Sequence, residues 1–369
     1  MFPPNISAIF QKNSDWNEID LDELYKYFNK DNRDLLNEDW MLGFENISKR
    51  VIGQNPSNDI VQLLMCIVSS FHEISPRSFS AYQTMSHDCA IASLMLDKKK
   101  DFLEYVQQYI YNAIAQVTPN ATNAKMDYYS FRGITNYSID EITNEQISLA
   151  HPRSFNDPLD TLLNWWIDKE IKNMGSYSSY EQEFVLQMKK NAEHIKMRCL
   201  IGAKKKVGAI TEDVYVQDLP VLMWSHYANS HKGMCVKYRF APDFFRDYKA
   251  EGRALLFICP AHYKEGVRLE YKGEAFIGNA LLIKSKDWEY ENEKRMIYYS
   301  SPQVDNGKAI EEYPMIDCKG AIQAIYLGVK CSDADKRLVE RAIGDKNIQL
   351  YKMVIDDDNP TRLKPIRIG

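Results

Sequence analysis

The sequence predicts an α+β protein, with a helical domain over residues 1–125 followed by a mixed α/β domain over 126–369. Three observations predict it. Before residue 120, apolar positions recur at three- and four-residue spacing, the period of one helix face. The polar, turn-forming stretch TPNATNAKMD at 118–127 then breaks that pattern. Beyond it, short aromatic and β-branched runs are separated by turn formers, as in strands. A length of 369 residues suits about two domains. An apolar share of 45% is enough to bury a core, which excludes a disordered chain.

In order along the chain, Leu21, Leu24, Tyr25 and Phe28 share one helical face. Asn58 or Asp59 caps the apolar run 60–71, and Ser86 or Asp88 caps a helix through Ala90–Leu96. The clearest helix is 101–117, where Phe102, Val106, Tyr109, Ile110, Ala113, Ile114 and Val117 form a stripe and Pro119 follows. Strands are expected at Tyr128–Arg132 and Ile147–Ala150, followed by a turn-rich stretch at 152–158. A helix over 181–200 would carry Phe184, Val185, Met188, Ile195 and Cys199 inward. Further strands are expected at 207–211, 233–240, 254–259 and 293–299, with a helix or turn at 222–227. The chain closes as strand 321–327, a helix between Ser332 and Gly344, and strand 349–355.

The composition excludes several classes. With 46 basic and 51 acidic residues the net charge is −5, so the chain as a whole carries no basic nucleic-acid footprint. Its seven cysteines are scattered without a C-x-x-C pair, which argues against a disulfide framework or a cysteine zinc site and for a reducing cytoplasm. The start MFPPNISAIF lacks a signal peptide's basic and apolar regions. The run Ile60–Phe71, interrupted by Gln62, Ser69 and Ser70, is shorter than the ~20 residues of a membrane span. A soluble cytoplasmic protein is expected. Glycine is scarce, at 16 residues, and no G-x-G-x-x-G occurs. Gly273 and Gly278 have P-loop spacing, but Asn279 and Ala280 stand where lysine and a hydroxyl residue belong. His226, His231 and Cys235 match no zinc spacing, so no metal is expected.

Three segments are dense in reactive side chains. In 284–295, an extended backbone would place Glu289, Glu291 and Glu293 on one face. Carboxylates so placed repel and raise one another's pKa unless a cation such as Arg295 intervenes. The plainer reading is a solvated edge strand, but Trp288, Tyr290 and the run 296–299 favour a site at Glu291 and Glu293. In 222–233, Trp224, Tyr227, His226 and His231 suit a planar or sugar-bearing ligand; alternatively the aromatics are core. In the third segment, Arg132 ends an aromatic strand and suits a phosphate fork or a surface ion pair. Asn156 and Asp157 stand before Pro158 as turn formers or ligand contacts.

FRGI with SFNDPLD, then LMWSHYANSHKGMCVKY, then KSKDWEYENEKRMIY, in that order, resemble the bacterial family called domain of unknown function 2971 over about 128–369. That family name carries no activity. A second resemblance does. Arg132, Ser225 and Glu291-Asn292-Glu293 follow the R–S–E-x-E order of arginine-type mono-ADP-ribosyltransferases, although Ser225 is followed by His226 and Tyr227 instead of Thr-Ser. The resemblance implies a split, mostly antiparallel sheet with NAD as substrate. Arg132 would hold its phosphates and Ser225 would support the nicotinamide ribose. Glu293 would stabilise the oxocarbenium-like transition state, and Glu291 would orient a protein or nucleic-acid acceptor. Trp224, His226, Tyr227, Asn156 and Asp157 would complete the NAD site. The expected setting is a toxin or phage-defence effector, with 1–125 as a regulatory or targeting module through which a homo-oligomer or regulatory partner would assemble. Two other functions compete: a metal-dependent nuclease or phosphohydrolase using Asp157, Asp160, Glu291 and Glu293 as oxygen ligands, and a non-catalytic binding module.

Overall fold

The computed structural model describes residues 23, 90–91, 93–94, 99–115, 126–157, 160–207, 210–241, 244–247, 255–265, 276–300 and 315–369. The helices expected at 21–28 and 60–71 lie outside this set apart from Glu23, which is helical. Of 90–96, Ala90, Ile91, Ser93 and Leu94 are described, and all are helical.

In chain order the elements begin with α1 (Lys99–Ala115), β1 (Asp127–Arg132), α2 (Asn136–Asn144), β2 (Gln146–Ser148), α3 (Leu162–Asn173) and α4 (Ser179–Ala192). Then come β3 (Ile195–Gly202), β4 (Lys204–Val207), β5 (Ile210–Asp213), α5 (Val221–His226), β6 (Met234–Arg239), β7 (Leu255–Pro260) and β8 (His262–Lys264). The last are α6 (Phe276–Leu282), β9 (Ile283–Ser285), β10 (Glu293–Tyr299), β11 (Met315–Asp317), β12 (Ile322–Leu327), α7 (Asp333–Ile343), β13 (Gln349–Ile355) and β14 (Leu363–Arg367). No described helix is long and apolar enough to cross a membrane.

The chain divides into two compact units, one of residues 1–119, 162–193 and 269–281, the other of 120–161, 194–268 and 282–369. Within the first, α1 buries Phe102, Val106, Tyr109, Ile110, Ala113 and Ile114 of the stripe read from its spacing, while Val117 lies outside the described residues. Tyr109 meets Phe184 of α4 edge-on, with ring centroids 5.3 Å apart. Helix α4 starts with a capping box: the Ser178 hydroxyl accepts from the Glu181 amide, and the Glu181 carboxylate accepts from Ser178 N at 2.7 Å. It ends at Ala192, so the helix expected through 200 is too long. Residues 195–202 are instead the strand β3, buried on both faces. A strand buried on both faces loses its polar alternation, and its apolar run then passes for more helix.

The second unit is built on one eight-stranded sheet of order β14-β13-β12-β6-β1-β3-β10-β7. Its neighbours run antiparallel except β12 and β13, which are parallel across the α7 crossover. The architecture is therefore mixed α/β with a large, mostly antiparallel sheet. Ser332 caps α7 by accepting from Asp335 N at 3.1 Å, and Gly344, at φ +53°, ends it. The expected 207–211 strand is two strands, β4 and β5, paired antiparallel.

One pairing matters most. Strand β1 shares six residue pairs with β6, and β3 shares seven with β10. Between β1 and β3 the register holds two, Tyr128↔Gly202 and Tyr129↔Ile201. Ala150 then lies alongside β3 and exchanges two hydrogen bonds with Met197, at 2.9 and 2.8 Å. The sheet opens at its centre.

Candidate active site

A cavity of about 290 Å³ lies at this opening, just under the usual range of small-molecule sites. Both faces of β3 line it, Cys199 and Ile201 from one and Arg198 and Leu200 from the other. A strand can present both faces to one space where its neighbour has moved away. Phe131, Ser154, Asn156 and Asp157 close one side, and Tyr227, Lys284, Glu291 and Glu293 another.

The two glutamates do not reach the cavity by strand alternation. Residues 286–291 wind into a 3-10 turn, and Asn292 adopts a left-handed conformation, φ 46°, before β10 begins at Glu293. The extended reading of 289–293 is thereby corrected. Serine and aspartate at 285 and 287 explain it: Ser285 Oγ accepts from Asp287 N and caps the turn. Glu289 ends up exposed, while Glu291 and Glu293 are buried.

Buried carboxylates need partners. The Lys284 ammonium, from β9, lies between them; it donates to Glu291 Oε2 at 2.6 Å and also to Glu293 Oε2. Arg295 Nε donates to the other Glu293 oxygen at 2.7 Å, and its Nη2 reaches Asp160 at 2.8 Å. Tyr227 OH donates to Glu291 Oε1 at 2.7 Å. The Tyr263 hydroxyl accepts from Glu293 N at 2.7 Å and pins the start of β10.

These environments drive the carboxyls apart. Burial alone would raise the Glu293 pKa, but Arg295 and Lys284 overcome it and hold the group at about 2. Burial raises Glu291 above the ordinary carboxylate value, and the single ammonium and the tyrosine hydroxyl do not fully offset it. Asp160 is likewise raised by burial despite Arg295. Burial would lower Lys284, yet the two glutamates raise it, so it stays an ammonium. The Cys199 thiol is pushed well up by burial and by Glu293, so it stays protonated. Paired carboxyls of opposite tendency divide the labour of acid–base chemistry. Glu293 is held as the anion, and Glu291 keeps its proton more readily.

Of the residues singled out in the sequence, the structure brings Glu291, Glu293, Tyr227, Asn156 and Asp157 to one cavity. It does not bring Arg132, Ser225, His226 or Trp224. Glu293 and Tyr129 each pair with Ile201, so they share a sheet face, and Arg132, three residues after Tyr129, takes the other. Its guanidinium contacts the buried Glu141. Ser225 is exposed, with its hydroxyl 3.0 Å from His231 Nε2. Trp224 is core, packed edge-on against Phe131 with centroids 4.9 Å apart. His226 is exposed, its ring 6.3 Å from Trp288. Among the described residues, no group of three or more His, Cys, Asp or Glu side chains is arranged to hold a metal.

Sequence reasoning assigned no role to Lys284 or Arg198. The signal for both was a cation inside an apolar run, alone in LLIKS and beside Lys196 in IKMRCLIG, where an unpartnered charge would be costly. No family model matches this chain, and no curated protein or solved structure does either.

Proposed function

We propose that this chain is an ADP-ribosyltransferase-like enzyme that consumes NAD, with Glu291 and Glu293 as its catalytic residues. The observation that carries the reading is the convergence of both glutamates, in opposed protonation tendencies, on a cavity set where the sheet parts. A split sheet holding an E-x-E pair is what the transferase resemblance implies, and the two-pair register between β1 and β3 supports it. Glu293, kept ionised by Arg295 and Lys284, would face the positive charge that develops on the ribose as nicotinamide leaves. Glu291, with its raised pKa and its bond from Tyr227, would take the proton of the attacking acceptor. Arg132 and Ser225 carry no part in this reading, because both lie away from the cavity lining.

The three motifs SFNDPLD, MWSHYANSHKG and KSKDWEYENEKR each supply a residue to the cavity or its ion cluster: Asp160, Tyr227 and Glu293. That supports membership of the domain of unknown function 2971 family, and with it a cytoplasmic toxin or phage-defence role, as part of the same proposal. The rival phosphohydrolase reading is weakened by what stands between its acids, since Lys284 and Arg295 already bridge Asp160, Glu291 and Glu293. The test is incubation of the pure chain with NAD, following nicotinamide release. Release that Glu293→Gln abolishes, with an unchanged circular dichroism spectrum, is expected. No release, with or without cell extract, overturns the proposal and leaves the binding-module reading.

A further inference from the structure

The opposite end of the cavity carries a second ion cluster, and its charge is of the other sign. Glu141, buried on α2, accepts from Ser148 N at 3.1 Å and from the Ser148 hydroxyl. It also contacts the Arg132 guanidinium and lies 4.0 Å from Arg198 Nη1. Two guanidiniums thus share one carboxylate, a surplus of one positive charge. At the Glu293 end, Lys284 and Arg295 face Asp160, Glu291 and Glu293, a surplus of one negative charge. Asp157 adds a carboxylate to the lining.

Arg198 is the member of the positive cluster that lines the cavity. Its Nη2 donates to Ser130 Oγ at 2.9 Å, and Ser130 also lines the cavity. An arginine has five N–H donors in a fork. One is used on Ser130, and Glu141 at 4.0 Å is beyond hydrogen-bond range of the second nitrogen. The side chain is 17% exposed and lines the cavity with Ser130, so further donors of the fork are open to a ligand. Arg198 pairs with Met296 and Ile201 with Glu293 across β3 and β10, an offset of three residues. At ~3.4 Å per strand residue, the two backbone positions lie roughly 10 Å apart along the strand, and the odd offset sends the side chains to opposite faces of β3, both of which line the cavity. A ribosyl pyrophosphate has the matching polarity, anionic at one end and developing positive charge at the other when its glycosidic bond breaks.

We infer that the Arg198–Ser130 end of the cavity takes the phosphates of the ligand, so that a nucleotide binds with its ribosyl carbon toward Glu291 and Glu293. The orientation rests on the proposed function; the anion site does not. Arg198 thereby fills the role that the resemblance implies for Arg132, and Arg132 acts behind it by occupying Glu141, leaving the Arg198 fork available for phosphate.

Calorimetric titration of the full chain with inorganic pyrophosphate, ADP-ribose and adenosine tests this. Arg198→Ala is expected to weaken pyrophosphate and ADP-ribose at least tenfold and to leave adenosine unchanged. If Arg198→Ala loses the wild-type melting transition, Arg198→Lys decides. It keeps a charge without the fork, so pyrophosphate affinity falls several-fold. Equal pyrophosphate affinity of wild type and folded variant, or no pyrophosphate binding by wild type at millimolar concentration, overturns the inference. Nicotinamide release from NAD separates the two claims. Release with a KM for NAD unmoved by the folded variant overturns the anion site alone. No release, with pyrophosphate binding that the variant loses, overturns the catalytic reading alone.

Discussion

The ion clusters at Glu293 and Glu141 are both buried, both mix arginine with carboxylate, and both sit beside the same opening, yet they are built to different ends. At Glu293 the cations are enclosed: Arg295 is fully buried and Lys284 nearly so, and each is spent on two or more acids. At Glu141 the acid is enclosed and the guanidiniums are partly open, with Arg132 and Arg198 at 15% and 17% exposure. The first arrangement fixes carboxylates as anions and proton carriers. The second leaves cationic donors facing outward. An asymmetry of enclosure, added to the opposite charge balance of the two clusters, gives the cavity its polarity.

The largest expected effect comes from removing Arg295. Arg295→Met leaves Glu293 and Asp160 buried with Lys284 as the cation remaining beside them among the described residues, and breaking such a pair costs about 3–5 kcal/mol. Urea denaturation should show a loss of that size; a loss under ~1 kcal/mol would mean the cluster is wetter than its burial indicates. Glu141→Gln is next. It removes the carboxylate that two adjacent guanidiniums share, for a cost of about 2–3 kcal/mol by the same measurement, and it should tighten pyrophosphate because the surplus positive charge of the cluster doubles. Weakened pyrophosphate would contradict the sign of the comparison.

The acid limb of stability sharpens the contrast further. Glu293 titrates at about 2 in the folded chain against an ordinary 4.5, so its contribution is present above about 4.5 and is lost as pH falls toward about 2. Glu291 and Asp160 are raised, so their contribution has the reverse sign and declines as pH climbs above their unfolded values. Glu293→Gln should therefore flatten the loss between pH 4.5 and 2, whereas Glu291→Gln should not; equal flattening would show that the pair shares its proton. The smallest effect belongs to Ser130→Ala. It removes one acceptor from an arginine that retains solvent, so stability should change by under ~1 kcal/mol while pyrophosphate weakens a few-fold.

Legibility in the sequence followed the same division. Periodic and capped elements could be read: the stripe of α1, the strand at β10, and β12–α7–β13 with Ser332 and Gly344 at the helix ends. What misled was β3, whose residues are buried on both faces and carry no alternation. The E-x-E pair was found by residue type, but its geometry was misread, because a strand was assumed where Ser285 and Asn292 make a capped turn and a left-handed step. Arg132 and Arg198 could not be told apart from sequence, since both face the side of the sheet away from Glu293 and the choice depends on which of them lies at the gap between β1 and β3. That is set by the register at Tyr129↔Ile201, a long-range pairing with no local trace.

That same register has a mechanical meaning. Five strands lie on one side of the joint and three on the other, tied by two residue pairs and the hydrogen bond from Ala203 N to Asp127 O. A lattice so thinly stitched opens there first, so the amides of Tyr129 and Ile201 should exchange with deuterated water sooner than their neighbours in β6 and β10. A guest lodged in the seam would bind the two flanks together and slow that exchange.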